Sequence, residues 1–210
     1  MTFQFVTVLK TGGEYSTKHV TWLQRQVNIP IICLTDSTDK MENVTSIPLK
    51  YNFPKWWSKL EMFRPDIGLD DFLYSDLDAV FTHGLPEKYT TLKQNVVLAC
   101  PCLKFKPSIY SGMMNITKET SPKIWDGFIS DPKTIMDRYA LSNKDGTMGD
   151  QGYLNEHLAT ADRWQALFPN EFVSFKKEVA GRRLPKNANV VIFYSHPRPW
   201  ETGLKWVPRL

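Results

Sequence analysis

The segment Phe72-Leu-Tyr-Ser-Asp-Leu-Asp-Ala-Val-Phe81 is the most informative stretch of the sequence for the fold. Its apolar start predicts a buried strand that runs into an acidic tip at Asp76 and Asp78. Side-chain direction repeats every two residues in a strand, so both carboxylates are expected to point the same way. The carboxyl ends of buried strands are where α/β sheets build ligand sites. The segment therefore predicts an α/β fold with a ligand site at the two aspartates.

This pair of carboxylates indicates a divalent cation. Two carboxylates that face the same way repel each other unless a cation lies between them. A solvated acidic turn is the alternative, because a chain with this aspartate content holds about one Asp-x-Asp tripeptide by chance. The apolar strand that precedes Asp76 favours the metal site.

Length and composition predict one folded domain over residues 1–210. Hydrophobic residues make up 42% of the chain and aromatic residues 13%, which is enough for a sizeable core and excludes a largely disordered protein. No apolar run approaches the roughly 20 residues that a membrane-spanning helix needs. The first six residues show no basic leader or cleavage signature, so a cytoplasmic location is expected.

The charge balance does not indicate a nucleic-acid-binding protein. The chain has 26 Lys and Arg and 22 Asp and Glu, so its formal net charge is only +4. The basic residues are also scattered along the sequence. Some of them are expected to face a small anionic ligand instead. Three cysteines do not suit a disulfide scaffold. Cys33 is expected in the core, and Cys100-Pro-Cys102 lacks a second pair at zinc-site spacing.

Short apolar runs alternate with helix-like stretches along the chain, a pattern typical of α/β layer architectures. Besides the strand before Asp76, strands are predicted at residues 3–9, 29–35, 44–49, 95–100, 111–117 and 190–194. Helices are predicted at 14–27, 55–63, 124–141 and 150–158.

One family with two aspartates after a strand is the haloacid-dehalogenase-like phosphatases. Their pattern has a threonine two residues after the second aspartate, where this chain has Val80. They also have a later Gly-Asp with another aspartate four residues on, whereas Gly149-Asp150 is followed by Leu154 at that spacing. Their motif usually lies on the first strand, and this pair follows at least two. A phosphatase that uses Asp76 and Asp78 is the alternative enzyme.

Another family accounts for more of the chain through six segments in order. These are Phe5–Leu9 with the following turn and Tyr15, Ser58-Lys59-Leu60, Tyr74–Asp78, Ser111-Gly112-Met-Met-Asn115-Ile, Gly149–Asn155 and Phe193–Trp200. In this order they resemble the metal-dependent, retaining GT-A-fold glycosyltransferases of the glycogenin and lipopolysaccharide galactosyltransferase type. Compact glycan-building glycosyltransferases of large viruses are similar in size. In the last segment, Arg198 stands where lysine is usual, and His196 to Trp200 is shorter than the common His-x-x-Gly-x-x-Lys-Pro-Trp form.

The resemblance implies a GT-A fold, with a mainly parallel mixed central sheet flanked by helices. It also implies a nucleotide-sugar-binding half at about residues 1–110 and an acceptor-binding half at about 111–210. The implied donor contacts are Thr7, Val8, Leu9, Tyr15, Lys59, Asp76, Leu77, Asp78 and Arg198. The implied metal ligands are Asp76, Asp78 and His196, and the implied catalytic residues are Asp150, Gln151 and Lys59.

The chemistry of glycosyl transfer agrees with these roles. Breaking a nucleotide-sugar bond leaves a diphosphate, whose growing charge a divalent cation can stabilise as a Lewis acid. Two carboxylates and an imidazole suit Mn²⁺ or Mg²⁺, and the imidazole favours Mn²⁺. Lys59 and Arg198 are expected to add fixed positive charge. Because the amide of Gln151 is a poor nucleophile, the resemblance implies attack from the leaving-group side, with the departing phosphate as base.

The expected reaction is therefore transfer of a hexose or deoxyhexose from a UDP-sugar to a hydroxyl of a glycan or glycoprotein, with retained anomeric configuration. A sugar transferase that acts on modified DNA is a variant of this hypothesis. Trp56, Trp57 and Trp200 are expected either to stack on sugar rings or to pack in the core. The sequence leaves the transferred sugar, the acceptor and the oligomeric state open.

Overall fold

The computed structural model describes residues 3–100, 108–140 and 148–210. The strands are β1 Gln4–Leu9, β2 Ile31–Thr35, β3 Val44–Pro48, β4 Phe72–Ser75, β5 Ala79–Phe81, β6 Val96–Ala99, β7 Ile109–Ile116, β8 Asp162–Arg163, β9 Phe172–Ser174 and β10 Val190–Ile192. The α-helices are α1 Thr17–Val27, α2 Glu87–Thr90, α3 Ser121–Ser130, α4 Pro132–Arg138, α5 Gly149–Leu158 and α6 Trp164–Leu167. Short 3₁₀ helices span Lys55–Phe63, Pro65–Ile67 and Pro199–Glu201, and a π-helical turn spans Phe175–Val179.

The central sheet has seven strands in the order β3-β2-β1-β4-β7-β6-β8. Strands β3, β2, β1 and β4 run parallel to one another, whereas β7 is antiparallel to both of its neighbours, β4 and β6. Alternate residues of β1 enter different cores, because Phe5 packs in one hydrophobic cluster and Val6 in the other. Burial on both faces is typical of a sheet covered by helices on each side. The predicted mainly parallel mixed sheet flanked by helices is confirmed.

A second sheet, of order β5-β10-β9, joins two distant parts of the chain. Strand β10 is antiparallel to β5, with Ile192 opposite Ala79, and parallel to β9. This register places the segment after β10, which carries His196 and Arg198, beside the Asp78 that precedes β5. The sequence predicted β10 but neither β5 nor β9, which are each held by pairing with β10.

The predicted helix at 14–27 begins later than expected. Ser16 is extended and forms a capping box with His19, so α1 starts at Thr17. Glu14 and Tyr15 are therefore loop residues. This correction matters for the site, because Tyr15 hydrogen-bonds to Asp78 and Glu14 accepts hydrogen bonds from Arg198.

The predicted helix at 124–141 is two helices. Asp131 leaves the helical conformation, and its carboxylate accepts a hydrogen bond of 3.1 Å from the main chain of Thr134, so it caps a new helix. Pro132 occupies the first turn of that helix, where its missing N–H is not needed. Leu141, at the end of the predicted helix, lies outside the described residues. The helix predicted at 55–63 is present as a 3₁₀ helix.

Cys33 is buried as expected, and burial raises the pKa of its thiol to about 12. Cys102 lies outside the described residues, so the Cys-Pro-Cys interpretation stays untested.

Across the described ranges, no helix is both long and apolar enough to span a membrane.

Candidate active site

Asp76 directly follows β4, where β7 and β1 hold the main chain of Asp76 and of Ser75 before it. Its N–H donates a hydrogen bond of 2.8 Å to the carbonyl of Gly112 on β7. Thr7 on β1 donates its hydroxyl to the Ser75 carbonyl at 2.9 Å. A Cβ on Gly112 would lie 2.2 Å from the Tyr110 ring and 3.0 Å from Asp76 Oδ2, so a side chain there would displace the carboxylate or the ring. The glycine of the predicted motif is required by this close approach.

The Lys59 cluster, defined as Lys59, Asp76, Asp150 and Ser111, joins the 3₁₀ helix, β4, α5 and β7. Lys59 Nζ lies 3.0 Å from Asp76 Oδ1 and 3.0 Å from Asp150 Oδ2. It also donates to Ser111 Oγ at 3.2 Å, and that hydroxyl donates to Asp150 at 3.0 Å. Burial lowers the pKa of Lys59, but the charges of Asp150 and Asp76 outweigh this effect and raise it. The ammonium is therefore a fixed positive charge between two carboxylates.

Tyr74 supports this cluster from β4. Its hydroxyl donates a hydrogen bond of 2.5 Å to Asp76 Oδ1, and its ring lies 5.2 Å from Lys59 Nζ. Burial, and then the charge of Asp76, raise the pKa of the phenol well above its ordinary value. The hydroxyl therefore stays protonated and restricts the orientation of the Asp76 carboxylate.

The Arg198 cluster, defined as Arg198, Asp78, Glu14 and Tyr15, forms the other half of the site. Arg198 Nη1 lies 2.5 Å from Asp78 Oδ2, while its Nε and Nη2 donate to the two Glu14 oxygens at 2.7 Å each. Tyr15 donates its hydroxyl to Asp78 Oδ2 at 3.1 Å. The hydrogen bonds from Arg198 lower the pKa of Glu14. All three nitrogens of the Arg198 guanidinium therefore donate to a carboxylate oxygen of Asp78 or Glu14.

The two aspartates interact with each other electrostatically. Asp78 is only 5% exposed, and burial followed by the charge of Asp76 raises its pKa, although Arg198 acts in the opposite direction. Two carboxylates that repel each other in this way fit the preference of a hard divalent cation for oxygen ligands. Asp76 and Asp78 therefore fit the predicted metal site.

His196 is not brought to these aspartates. Its side chain is 66% exposed, with Nδ1 3.0 Å from Glu201 and Nε2 3.8 Å from Glu14. In the part of the chain that the structure describes, Glu14, His196 and Glu201 form the group of three potential metal ligands whose atoms lie within 4.8 Å of one another. No such group there combines Asp76, Asp78 and His196. The role of His196 as a metal ligand stays a prediction.

The other residues predicted for the donor site and for catalysis differ in their burial. Thr7 and Leu9 are buried in β1, and Val8 is half-buried. The Leu77 side chain is 5% exposed and packs in the core, so its main chain is the part available to a ligand. Gln151 is half-buried in the first turn of α5, beside Asp150. The structure leaves these donor and catalytic roles as predictions.

The three tryptophans have different environments. Trp57 is 5% exposed and stacks on Phe128, with ring centroids 5.6 Å apart. Trp200 packs edge-on against His19 and Trp22. Trp57 therefore belongs to the core and the partly buried Trp200 packs against the core, whereas Trp56 is 43% exposed.

Glu14 was not predicted as a site residue. It lies 184 positions from Arg198, and no motif connects the two. Ser111 was named only as part of the Gly112 strand. Both become visible as site residues only when the chain is folded, because their partners come from other elements.

The structure is similar to solved glycosyltransferase structures. The apo form of the glycosyltransferase GlyE from Streptococcus pneumoniae TIGR4 matches with a TM-score of 0.63 and 13% identity, over 96% of this chain and 57% of GlyE. An active-site mutant of LgtC matches with a TM-score of 0.65 and 10% identity, over 96% and 91% of the two chains. The galactosyltransferase LgtC in complex with donor and acceptor sugar analogues matches with 0.62 and 11%, over 95% and 90%.

These matches concern the fold. The chain has the α/β architecture of GT-A glycosyltransferases such as LgtC, which confirms the predicted fold class. It spans a little more than half the length of GlyE. The sequence matches no protein-family model and no curated protein.

Proposed function

We propose that this protein is a glycosyltransferase that moves a hexose or deoxyhexose from a UDP-sugar to a hydroxyl of a glycan or glycoprotein. The reaction proceeds with retained anomeric configuration and depends on Mn²⁺, with Mg²⁺ as the alternative cation. The observation that carries the proposal is the position of Asp76 and Asp78 between the two cations Lys59 and Arg198 at the carboxyl end of β4. The fold shared with GlyE and LgtC supports it.

The charges of the site suit a departing diphosphate. Asp76 and Asp78 would hold a divalent cation, which supplies Lewis acidity for the developing negative charge when it is bound. Arg198 is 15% exposed at its side chain and borders Asp78, so its guanidinium can donate to phosphate oxygens bound there. Its present hydrogen bonds to Asp78 and Glu14 would have to be rearranged for this.

The nucleotide is expected on the β1 side of Asp78. Tyr15 lies there, with its hydroxyl already on Asp78 Oδ2. The carboxyl end of β1, with Thr7, Val8 and Leu9, borders the same edge of the sheet. This position supports a nucleotide-binding role for residues about 1–110.

The transferred sugar is expected next to the Lys59 cluster. Asp150 is buried and accepts hydrogen bonds from Lys59 and Ser111, and its carboxylate is placed to accept from sugar hydroxyls. Lys59 is saturated by Asp76 and Asp150 in this state, which supports a positioning role more directly than a contact with the diphosphate. Gln151 follows Asp150, and its amide can orient the sugar. The departing phosphate oxygen would take the proton of the acceptor hydroxyl as the new glycosidic bond forms and the sugar-phosphate bond breaks.

The proposal is tested by incubating the protein with a panel of UDP-sugars and Mn²⁺ and measuring release of UDP. Slow hydrolysis of at least one donor is expected, and Asp78→Asn should abolish it. Asp137→Asn, on the exposed surface of α4, is the matched control and should leave it unchanged. Absence of hydrolysis with every donor would contradict the proposal.

Two control assays separate the alternatives. A haloacid-dehalogenase-like phosphatase would release phosphate from an aryl phosphate with Mg²⁺. A transferase acting on DNA would shift DNA in a gel, and the shift would weaken strongly between two salt concentrations.

A further inference from the structure

Trp56 presents an exposed aromatic surface beside the Lys59 cluster. Its side chain is 43% exposed, whereas the adjacent Trp57 is 5% exposed and packs in the core. In a 3₁₀ helix, residues three positions apart eclipse each other. Trp56 and Lys59 are three positions apart in the 3₁₀ helix Lys55–Phe63, so they lie on the same face.

The first residue of α5 touches the indole. A Cβ on Gly149 would lie 2.1 Å from Trp56 Nε1, so the indole occupies the space that any side chain at position 149 would need. Gly149 also has a φ of +61°, which favours glycine. The next residue is Asp150, whose carboxylate lies 3.0 Å from Lys59 Nζ. Trp56 is therefore fixed at the edge of the site by two elements.

The charged groups of the site form a series of contacts. At one end Glu14 holds Arg198, which meets Asp78. Asp76 follows and meets Lys59, which continues to Asp150. Trp56, in contact with Gly149, is the last member of this series of contacts, and Arg198 belongs to its beginning. If the diphosphate binds at Arg198 and the transferred sugar near Asp150, the reacting acceptor hydroxyl lies beside the departing phosphate oxygen, and the rest of the acceptor glycan can extend past Asp150 to Trp56.

We propose that Trp56 is the platform on which a pyranose ring of the acceptor glycan stacks. This inference rests on the proposed function and assigns the acceptor end of the same site. A pyranose has an apolar C–H face and a rim of hydroxyls, and the negative face of an indole attracts such C–H groups. The surroundings of Trp56 match this mixed character. The Lys55 ammonium lies 5.6 Å from the ring centroid, and the buried carboxylate of Asp150 follows Gly149.

An apolar protein partner suits this surface less well. Of the other described large hydrophobic side chains that are exposed, Met148 precedes Gly149 in the sequence, Tyr51 stacks on Phe53, Leu167 is on α6 and Leu210 is at the end of the sequence. The exposed indole of Trp56 is bordered by the charged side chain of Lys55, whereas docking surfaces for proteins are larger apolar patches. A single sugar ring fits the size of one indole.

The test is an NMR titration of the full chain, loaded with UDP and the diamagnetic Mg²⁺, with methyl pyranosides of galactose, glucose and mannose. At least one of them is expected to bind, and Trp56→Ala should weaken its affinity about ten-fold. Trp56→Phe should restore most of the affinity, because the phenyl ring keeps a stacking face. Leu167→Ala, which removes an exposed hydrophobic side chain on α6, is the control and should not change it. Circular dichroism and thermal unfolding of the wild type and Trp56→Ala show whether the variant is folded.

Two results would overturn the inference. The first is that none of the glycosides binds the wild type, and the second is that Trp56→Ala binds as tightly as the wild type. Failure of the proposed function would be seen separately, as absence of UDP-sugar hydrolysis by the wild type. That result would also remove the assignment of the occupant as an acceptor.

Discussion

Arg198 and Asp78 lie 120 positions apart in the sequence and meet in an ion pair, with Nη1 2.5 Å from Oδ2. The pairing of β5 with β10 creates this contact, because it places the residue before β5 beside the segment after β10. Glu14 completes the arrangement by accepting two hydrogen bonds from the same guanidinium. The beginning, middle and end of the chain therefore meet at one carboxylate of the acidic pair.

Glu14→Gln tests whether Glu14 positions Arg198. A neutral amide can accept only one hydrogen bond from the guanidinium in place of two charge-assisted ones, so Arg198 should lose its fixed orientation. UDP binding in the presence of Mn²⁺ is expected to weaken about five-fold by calorimetry. Glu42→Gln, at an exposed position outside the Arg198 cluster, should bind UDP as the wild type does. Equal affinity of Glu14→Gln and wild type would show that Glu14 has no such role.

Lys59→Met should destabilise the fold. Removing the ammonium leaves Asp150 buried and Asp76 partly buried without their counter-ion, a change that costs about 3 kcal/mol in the free energy of unfolding. Lys55→Met, at an exposed position of the same 3₁₀ helix, should change the free energy of unfolding by less than about 0.5 kcal/mol. Denaturant unfolding of both variants measures the difference. Equal stability of the two variants would mean that Lys59 does not neutralise the pair.

Gly112→Ala should impair the metal site through Asp76. The added Cβ would lie 2.2 Å from Tyr110 and 3.0 Å from Asp76 Oδ2, so one of these side chains must move. Mn²⁺-dependent UDP binding is expected to fall about ten-fold. Gly13→Ala is the control, since a Cβ there meets no atom within 4 Å and the backbone φ is not positive. A Gly112→Ala protein with unchanged UDP affinity would show that the close packing around Asp76 is not needed.

A carboxylate distant from the site should contribute a pH-dependent part of the stability. Glu171 lies 2.5 Å from Lys88 Nζ and accepts hydrogen bonds from Tyr89 and Asn189. Burial raises the pKa of Glu171, but these partners outweigh burial and lower it below its ordinary value of 4.5. Because the pKa is lower in the folded state, the stabilisation is complete above about pH 4.5 and is lost as the pH falls through the folded value.

Glu171→Gln gives the corresponding measurement. The variant should be about 1 kcal/mol less stable than the wild type at pH 7, and this difference should shrink as the pH falls below about 4.5. Thermal or denaturant unfolding at several pH values records it. A difference that stays constant or widens on acidification would contradict the assignment.

Strong local signals made much of the fold predictable from the sequence. The strands around Val6, Cys33 and Leu73 are buried runs of β-branched and apolar residues, and the structure confirms them. The short strand at Val173 could not be predicted, because its three residues are held by pairing with β10. The continuous helix predicted at 124–141 was wrong. Pro132 lacks the N–H that a helix interior needs, so the sequence already indicated a new helix at this position.

For the site, the sequence indicated which residues matter but not how they pair. Asp76 and Asp78 were found because they follow a strand, and both lie where predicted. Their partners depend on long-range pairing, so the contacts of Glu14 with Arg198 had no local signal. Trp57 is buried and Trp56 is exposed because Trp57 lies on the face of the 3₁₀ helix that meets Phe128. Since the two residues are identical neighbours, the sequence does not show which of them is buried.

The central claim is that Asp76 and Asp78 hold the divalent cation needed to bind a uridine diphosphate. Isothermal titration of UDP into the wild type, with Mn²⁺ and with chelator, tests it most directly. The affinity for UDP should rise on the order of ten-fold or more with Mn²⁺, and Asp78→Asn should remove this increase. Equal UDP affinity of the wild type with Mn²⁺ and with chelator would contradict the claim.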